Sequence, residues 1–318
     1  MPPLSPTISV VLANWNGSRF LDDAVASVVH QTYAHWEMIG VDTGSQDQSC
    51  EILRQWAARD QRIKPIFCPW RLGCPSALNL AIAHARGEWI ARIESDDVWQ
   101  PHRLQTQLDF LAQPGQEHLG VCGSDALLMN ASGRHLGLKI FPHHHADCLR
   151  AIWYRNPFCH SSVLIRRAAL DQCGAYDEDY YLVEDLELRF RIARQWELGN
   201  LPEPLVNYRL WEGSLTTRRL RQLAWRAHRV RNRAVKQLGY RRPKLAWVYS
   251  WATVAASVLP PLLVRKIFER GLRAFQTSHP RANLTALTPG AKQIRADQPR
   301  KTEQALLPSE LSRTILPP

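Results

Sequence analysis

The sequence predicts an α/β fold with a mostly parallel central sheet, followed by a C-terminal helical basic segment. Three observations carry that expectation. Strand-like apolar runs alternate four times with runs of helical period between residues 8 and 112. Polar clusters follow three of those strands. The charge then changes sign along the chain. Residues 1–212 hold 19 Lys/Arg against 25 Asp/Glu, residues 213–268 hold 13 Lys/Arg and no acid, and residues 269–318 hold 8 and 4.

The elements follow in order. Residues 8–12 (ISVVL) are a β-branched run of buried-strand type, and residues 14–17 read as a loop. Residues 18–31 place Phe20/Leu21, Ala24/Val25 and Val28/Val29 at helical spacing. Residues 36–41 (WEMIGV) form a second strand that ends at Asp42-Thr43-Gly44-Ser45. A helix over 49–59, a strand over 63–67 and a helix over 76–85 come next. The fourth strand, 89–93, runs into Glu94-Ser95-Asp96-Asp97, and Pro101 opens a helix over 101–112. Such alternation gives right-handed βαβ crossovers. Ligands of such sheets bind at the carboxyl ends of the strands, where Asn14-Trp15-Asn16 and the other two polar clusters fall. Beyond 120 the pattern changes to strands over 120–129 and 161–165 and a helix over 182–194, with Glu184 and Asp185 in its first turn. The body ends near Trp211.

Composition bounds the class. The chain has 318 residues, is 45% hydrophobic with 12 Trp, and carries a net charge of +11, enough apolar material for a sizeable core. The seven cysteines (50, 68, 74, 122, 148, 159 and 173) show no CxxC spacing. They point to reduced thiols in the cytoplasm rather than to a zinc site or a disulfide framework. The opening MPPLSPTISVVLANWNG lacks a charged n-region and a long apolar core, so no signal peptide is expected.

RIESDDVW, residues 92–99, sets three carboxylates within four positions at the end of a buried strand. Like charges this close repel, and burial strengthens the repulsion. A divalent cation is the natural compensating partner. His143-His144-His145 is a weaker metal candidate, because adjacent His side chains seldom converge on one ion and Pro142 marks a loop. His160, beside the strand at 161–165, is a better candidate for a substrate pocket.

Over residues 7–216 the chain resembles the inverting family-2 glycosyltransferases of the GT-A fold, whose Rossmann-like first half binds the nucleotide. The resemblance rests on three stretches in the family's order and spacing. These are ISVVLANWNGSRFLDDAVASVVHQTYAHWEMIGVDTGSQDQS, GCPSALNLAIAHARGEWIARIESDDVW and HSSVLIRRAALDQCGAYDEDYYLVEDLELRFRIA. It implies a base cradle at Ala13 and Trp15, with Trp15 where relatives usually have Tyr; an indole stacks on a base equally well. Asp42 matches the first acid of the common Asp-Asp-Gly-Ser motif, and Thr43 stands where the second Asp is usual. Asp42 also suits a turn cap. Arg71 and Glu94 are assigned to nucleotide-sugar binding by the same likeness. Glu94-Ser95-Asp96-Asp97 matches the Asp-x-Asp-Asp metal motif, with Asp97 as direct ligand of Mg2+ or Mn2+ and Asp96 on ribose or metal. Glu184-Asp185 matches the acceptor-site acids, which makes Asp185 the general base and Glu184 an acceptor-binding or orienting group. Relatives often carry His where Trp211 stands, so Arg209, Arg218 or Arg219 is left to meet the phosphates.

The expected activity is metal-dependent transfer of a sugar from a nucleoside diphosphate sugar, UDP or dTDP, to a glycan or lipid-linked acceptor. Two alternatives belong beside it. One is a catalytically inactive nucleotide-sugar-binding or scaffold protein, kept open by Thr43, Glu94 and Trp211. The other is a nucleotidyltransferase, disfavoured because no Gly-rich, Lys-containing loop follows the first strand. Residues 217–275 read as a basic amphipathic and apolar helical segment. Within it, residues 245–264 carry no charge and are flanked by Lys244 and Arg265-Lys266. They suit lying on an anionic membrane at the cytoplasmic face, spanning it, or packing within the protein. Residues 276–318 are expected to be disordered. No nucleic-acid-binding signature accompanies the basic residues.

Overall fold

β1 (Ile8–Asn14) lies at the centre of a parallel array, between β2 (Trp36–Thr43) and β4 (Trp89–Arg92), with Ile8 level with Trp36 and Trp89. Both faces of such a strand are covered, which is why its sequence is a continuous apolar run. The pleat sends Val10 and Leu12 into one core cluster and Val11 into the other. α1 (Ser18–Val29) covers the first face with Leu21, Ala24, Val25 and Val28, and α2 (Ser49–Arg59) adds Leu53. α3 (Cys74–His84), with Pro75 in its first turn, covers the second with Ala77, Leu78 and Ala81. β3 (Ile63–Cys68) completes the edge beside β2. Gly87 is required where it stands: a Cβ there would meet the backbone of Ile8 and Ser9 at 2.5–2.7 Å.

This computed structural model describes residues 7–214 and 219–256. The described strands form a sheet ordered β3-β2-β1-β4-β8-β6-β9-β5, with β7 beside β6. β8 (Leu164–Arg166) runs antiparallel to both β4 and β6 (Leu119–Asn130) and so ends the all-parallel half. β6 and β9 (Glu197–Leu210) pair in parallel along most of their length. The rest of the body is β5 (Val98–Trp99), α4 (Arg103–Leu111), β7 (His135–Lys139), α5 (His145–Ala151), α6 (Arg167–Cys173) and α7 (Glu184–Ile192).

The first half follows the sequence pattern closely. The second departs from it at identifiable places. Residues 160–162 form a 3-10 turn, so the strand expected from 161 begins at Leu164. β9 carries Pro202 and Pro204, which interrupt its alternation, and the β6–β9 register shifts on both sides of Asp125, the residue opposite Pro204.

Two helices follow the body, α8 (Leu220–Lys236) and α9 (Lys244–Ala256). Val230, Ala234 and Ala246 share a buried cluster with Trp153, Leu186 and Phe190. Arg233 pairs with Asp177 at 2.6 Å and with Glu187 of α7 at 3.2 Å. Among the described residues, no helix is long and apolar enough to cross a membrane. Residues 257–264 of the uncharged stretch, the boundary at 216, and the tail expected to be disordered lie outside the described residues. All seven cysteines are free thiols.

Candidate active site

The three polar clusters lie where β1, β2 and β4 end. Asn14, the last residue of β1, donates to Asp42 Oδ2 at 2.7 Å. Ser45 donates to the same carboxylate through Oγ at 2.6 Å and through its backbone N–H at 3.0 Å. Asp42 is fully buried, and it ties the β1 and β2 loops together. The Thr43 hydroxyl donates to the Asn14 carbonyl at 3.2 Å. Ala13 is partly exposed beside them. Trp15 is half exposed, and the Arg71 guanidinium lies 3.5 Å from its ring centroid. An indole and a guanidinium together offer a stacking surface and positive charge, the needs of a base and its phosphates.

Gly17 joins this region to the acidic loop, since a Cβ there would meet both Asn14 Oδ1 and Ser95 Oγ, at 2.2 and 3.0 Å. In that loop the carboxylates of Glu94, Asp96 and Asp97 offer oxygens within 4.8 Å of one another. Asp97 Oδ1 accepts the Arg209 backbone N–H at 2.8 Å. Asp97 Oδ2 is buried without a hydrogen bond of ordinary geometry among the described residues, although the Ser161 hydroxyl acts downward on the same carboxyl. Asp96 Oδ2 accepts the Trp211 indole N–H at 2.7 Å. Glu94 lies 3.4 Å from His160 Nδ1 and 3.8 Å from Arg92 Nη2.

The electrostatics show what this cluster lacks. Burial, with the Glu94 charge added, pushes Asp96 up to about 6. Burial and the same neighbouring carboxylates lift Asp97 well above the usual range. Burial acts upward on Glu94 as well, but His160 and Arg92 hold it below its ordinary value. The loop therefore gathers negative charge with one buried oxygen unpartnered. A hard divalent cation such as Mg2+ or Mn2+ fits that oxygen set, with Asp97 and Asp96 as the residues to hold it.

The second acidic pair begins α7. Asp185 Oδ2 meets Arg189 Nη1 at 2.9 Å and accepts from Asn156 Nδ2, and Oδ1 accepts the Leu186 N–H at 2.7 Å. Burial works to raise Asp185, but Arg189, His160 and these hydrogen bonds outweigh it and keep the group below the ordinary range. Glu184 has weaker support, from its own backbone N–H and from Arg92. Its Oε2 is buried without a partner among the described residues, and burial plus the Asp185 charge push it up to about 7. The adjacent carboxyls thus differ in acidity, the condition for different roles. His160 stands between the two acidic groups, with Nε2 3.0 Å from Tyr176 Oη and Nδ1 toward Glu94. Burial holds His160 below its ordinary value.

Several participants escaped the sequence. Asn156 and Tyr176 carry no motif signal. Arg92 is buried behind the acidic loop and, although burial opposes its charge, the Glu94 carboxylate beside it acts to hold it protonated. Arg189 was legible in principle, being one helical turn after Asp185. Arg209 differs from its expected phosphate role. It is buried, and its side chain is taken up by the Asp96 and Ala131 carbonyls and the Asp23 carboxylate. Trp211 offers its indole N–H to Asp96 in the place where the resemblance expects His. Arg219 lies 5.8 Å from the Tyr181 ring, and Arg218 is outside the described residues. The three consecutive histidines diverge: His143 faces Asp125, His144 occupies the N-cap position of α5 without a side-chain cap, and His145 accepts from the Leu198 N–H.

Comparison with known proteins bears on the family and the fold. The profile of the family described as "Glycosyl transferase family 2" matches residues 9–174. A glycosyltransferase of Haemophilus influenzae is 27% identical over 215 residues, 64% of this chain but only 66% of that protein's length. The O-antigen biosynthesis glycosyltransferase WbnJ of Escherichia coli is 28% identical over 214 residues, covering 64% of this chain and 79% of WbnJ. Among solved structures, the mannosyltransferase PcManGT of Pyrobaculum calidifontis, in complex with GDP-Man and Mn2+, superposes with a TM-score of 0.56. The match covers 86% of this chain and 82% of that one at 18% identity, a likeness of fold.

Proposed function

The chain belongs to glycosyl transferase family 2, and from that premise we propose that it transfers a sugar, with inversion, from a nucleoside diphosphate donor to an acceptor hydroxyl. UDP or dTDP sugars are the proposed donors. A glycan under construction, lipid-linked at the cytoplasmic membrane face, is the proposed acceptor. The observation that carries this reading is the buried, unpartnered Asp97 Oδ2 within a triad of carboxylates at the end of β4. The Mn2+ and nucleotide sugar bound by PcManGT support the same class of donor site.

Asp185 takes the proton of the acceptor hydroxyl while that oxygen attacks the anomeric carbon from the face opposite the diphosphate. The new C–O bond forms as the bond to the diphosphate breaks, and the nucleotide leaves with the bonding pair. A carboxylate held ionised by Arg189 and Asn156 is a weak base at rest. It suffices because the hydroxyl becomes strongly acidic as its oxygen bonds to carbon. Glu184, protonated below about 7, donates a hydrogen bond that orients the acceptor. Trp15 stacks on the base and Arg71 meets the phosphates. A divalent cation, when bound at Asp97 and Asp96, neutralises charge on the departing diphosphate.

The alternative of a binding-only protein draws on Thr43, Glu94 and Trp211. Each makes a polar contact inside the site, so the geometry does not favour it. The test is a screen of UDP and dTDP sugars with Mg2+ or Mn2+ for nucleotide release in the presence of acceptor extract, with NMR of the product's anomeric proton. Nucleotide release with an inverted anomeric centre is expected. Retained configuration, or no release from any donor by folded protein, overturns the proposal.

A further inference from the structure

α9 is turned outward. Its small residues Ala246 and Ser250 are fully buried on the side packed inward, and its large apolar residues face solvent. Exposure runs from 43% at Trp251 to 76% at Leu245, with Trp247 and Val248 between them. A helix stabilised only by its own protein would be rotated the other way. Trp225 of α8, itself exposed, stands beside the patch and is joined to it through a buried ring: it stacks on His228, which contacts Trp251, which contacts Trp247, at centroid distances of 5.7, 4.5 and 6.2 Å. Contiguous exposed apolar surface of this kind marks an interaction site.

The charge carried by these two helices is of one sign. Residues 213–268 contain no acid. Arg229 lies one helical turn from Trp225, Lys244 one turn before Trp247 and Val248, and both are exposed, as is Arg241 between the helices. Tryptophans rimmed by cations suit the headgroup region of an anionic bilayer, where indoles settle at the interface and Lys/Arg meet lipid phosphates. We propose that the outward aromatic face of α9, with Trp225 of α8 beside it, is a docking surface for an anionic lipid bilayer. The same surface is linked to the catalytic acids. Tyr249 of α9 packs edge-on against Tyr154 at 5.5 Å, and Asn156, two residues further, donates to Asp185. Docking therefore holds the loop 154–156 at the membrane, where a lipid-linked acceptor presents its hydroxyl; this choice of acceptor rests on the transfer reading above, whereas the docking does not.

The experiment is flotation of the full chain with phosphatidylcholine vesicles, with and without phosphatidylglycerol. The protein floats with the anionic vesicles, and binding weakens as salt is raised. The double variant Trp247→Ala/Trp251→Ala loses about tenfold or more in vesicle affinity. Arg229→Gln and Lys244→Gln each lose about fivefold and flatten the salt dependence. Circular dichroism and nucleotide binding, unchanged in all of them, confirm folding. If the Trp variant fails to fold, the two charge variants alone decide. Three results overturn the proposal: no binding of anionic vesicles by folded wild type, binding unaffected by the Trp and charge substitutions, or self-association through this face, abolished by Trp247→Ala, in place of vesicle binding. Flotation reads docking without transfer, so a protein that binds vesicles but releases no nucleotide defeats the activity and leaves the docking intact.

Discussion

The indole N–H of Trp211 donates to Asp96 Oδ2 across 2.7 Å, joining residues 115 positions apart. It fixes one carboxylate of a loop whose members repel one another, and it is the larger of the two hydrogen bonds that work against the upward shift of Asp96. Trp211→Phe keeps the ring, which packs edge-on against Phe20, but removes the donor. A hydrogen bond to a charged group is worth about 1.5–3 kcal/mol, so the donor KM rises about tenfold or more. Trp211→His, which restores a donor, retains most of the affinity. Steady-state kinetics on both variants checks this; equal KM for Trp211→Phe and wild type would contradict it.

Asp185→Asn leaves donor binding intact and lowers kcat by about a thousandfold, the weight of a positioned general base. The amide accepts no proton, while Asn156 and Arg189 still frame the site. Comparable kcat in the variant would move the base elsewhere.

Glu184 supplies a pH dependence. Its proton, released at about 4.5 in an unfolded chain, is held to about 7 in the folded protein. The hydrogen bond it would donate to an acceptor is available below about 7 and lost as pH rises through that value. The KM for acceptor therefore climbs above neutrality, and Glu184→Gln, always able to donate, flattens the profile. Between 4.5 and 7 the folded state binds more protons than the unfolded state, so this group's contribution to stability falls as pH rises across that window.

Glu37 shows the opposite sign. Ser9 Oγ, Lys64 Nζ and Arg86 Nη2 donate to it at 2.9, 2.7 and 2.9 Å. Although burial acts to raise it, these partners lower it from 4.5 to about 2. Its stabilisation is present above 4.5 and disappears as pH falls toward 2. Allowing for solvent around the half-exposed Lys64 and Arg86, Glu37→Gln costs about 1–2 kcal/mol at neutral pH. Urea unfolding of both proteins at pH 7 and pH 3 should show the gap narrowing in acid; a constant gap would contradict the assignment.

Sequence and structure agree most where information is local. β1 to α3 were legible because period 2 and period 3.6 patterns alternate cleanly and the strands are buried on both faces. β9 was not, because Pro202 and Pro204 break its alternation and its partner β6 lies some 80 residues earlier. The acidic groups were legible because Glu94, Asp96 and Asp97, and likewise Glu184 and Asp185, are sequence neighbours. Their supports were not: Asn156 reaches Asp185 across 29 positions, and Arg209 reaches Asp97 across 112. Composition marked the basic segment but not its orientation. The inward turn of Ala246 and Ser250 follows from packing of α9 against α8, where Ser250 hydrogen-bonds His228 at 2.9 Å.

Everything proposed for the donor depends on the acidic loop holding a nucleotide through a divalent cation. The decisive measurement is calorimetric titration of UDP, dTDP and GDP into the protein, with Mn2+ and with EDTA, beside Asp97→Asn. One nucleotide, UDP or dTDP, should bind with Mn2+ and fail to bind with EDTA, and Asp97→Asn should weaken it by at least about 100-fold. Folded protein that binds no nucleotide, or binds one equally well with EDTA and in Asp97→Asn, would contradict the claim.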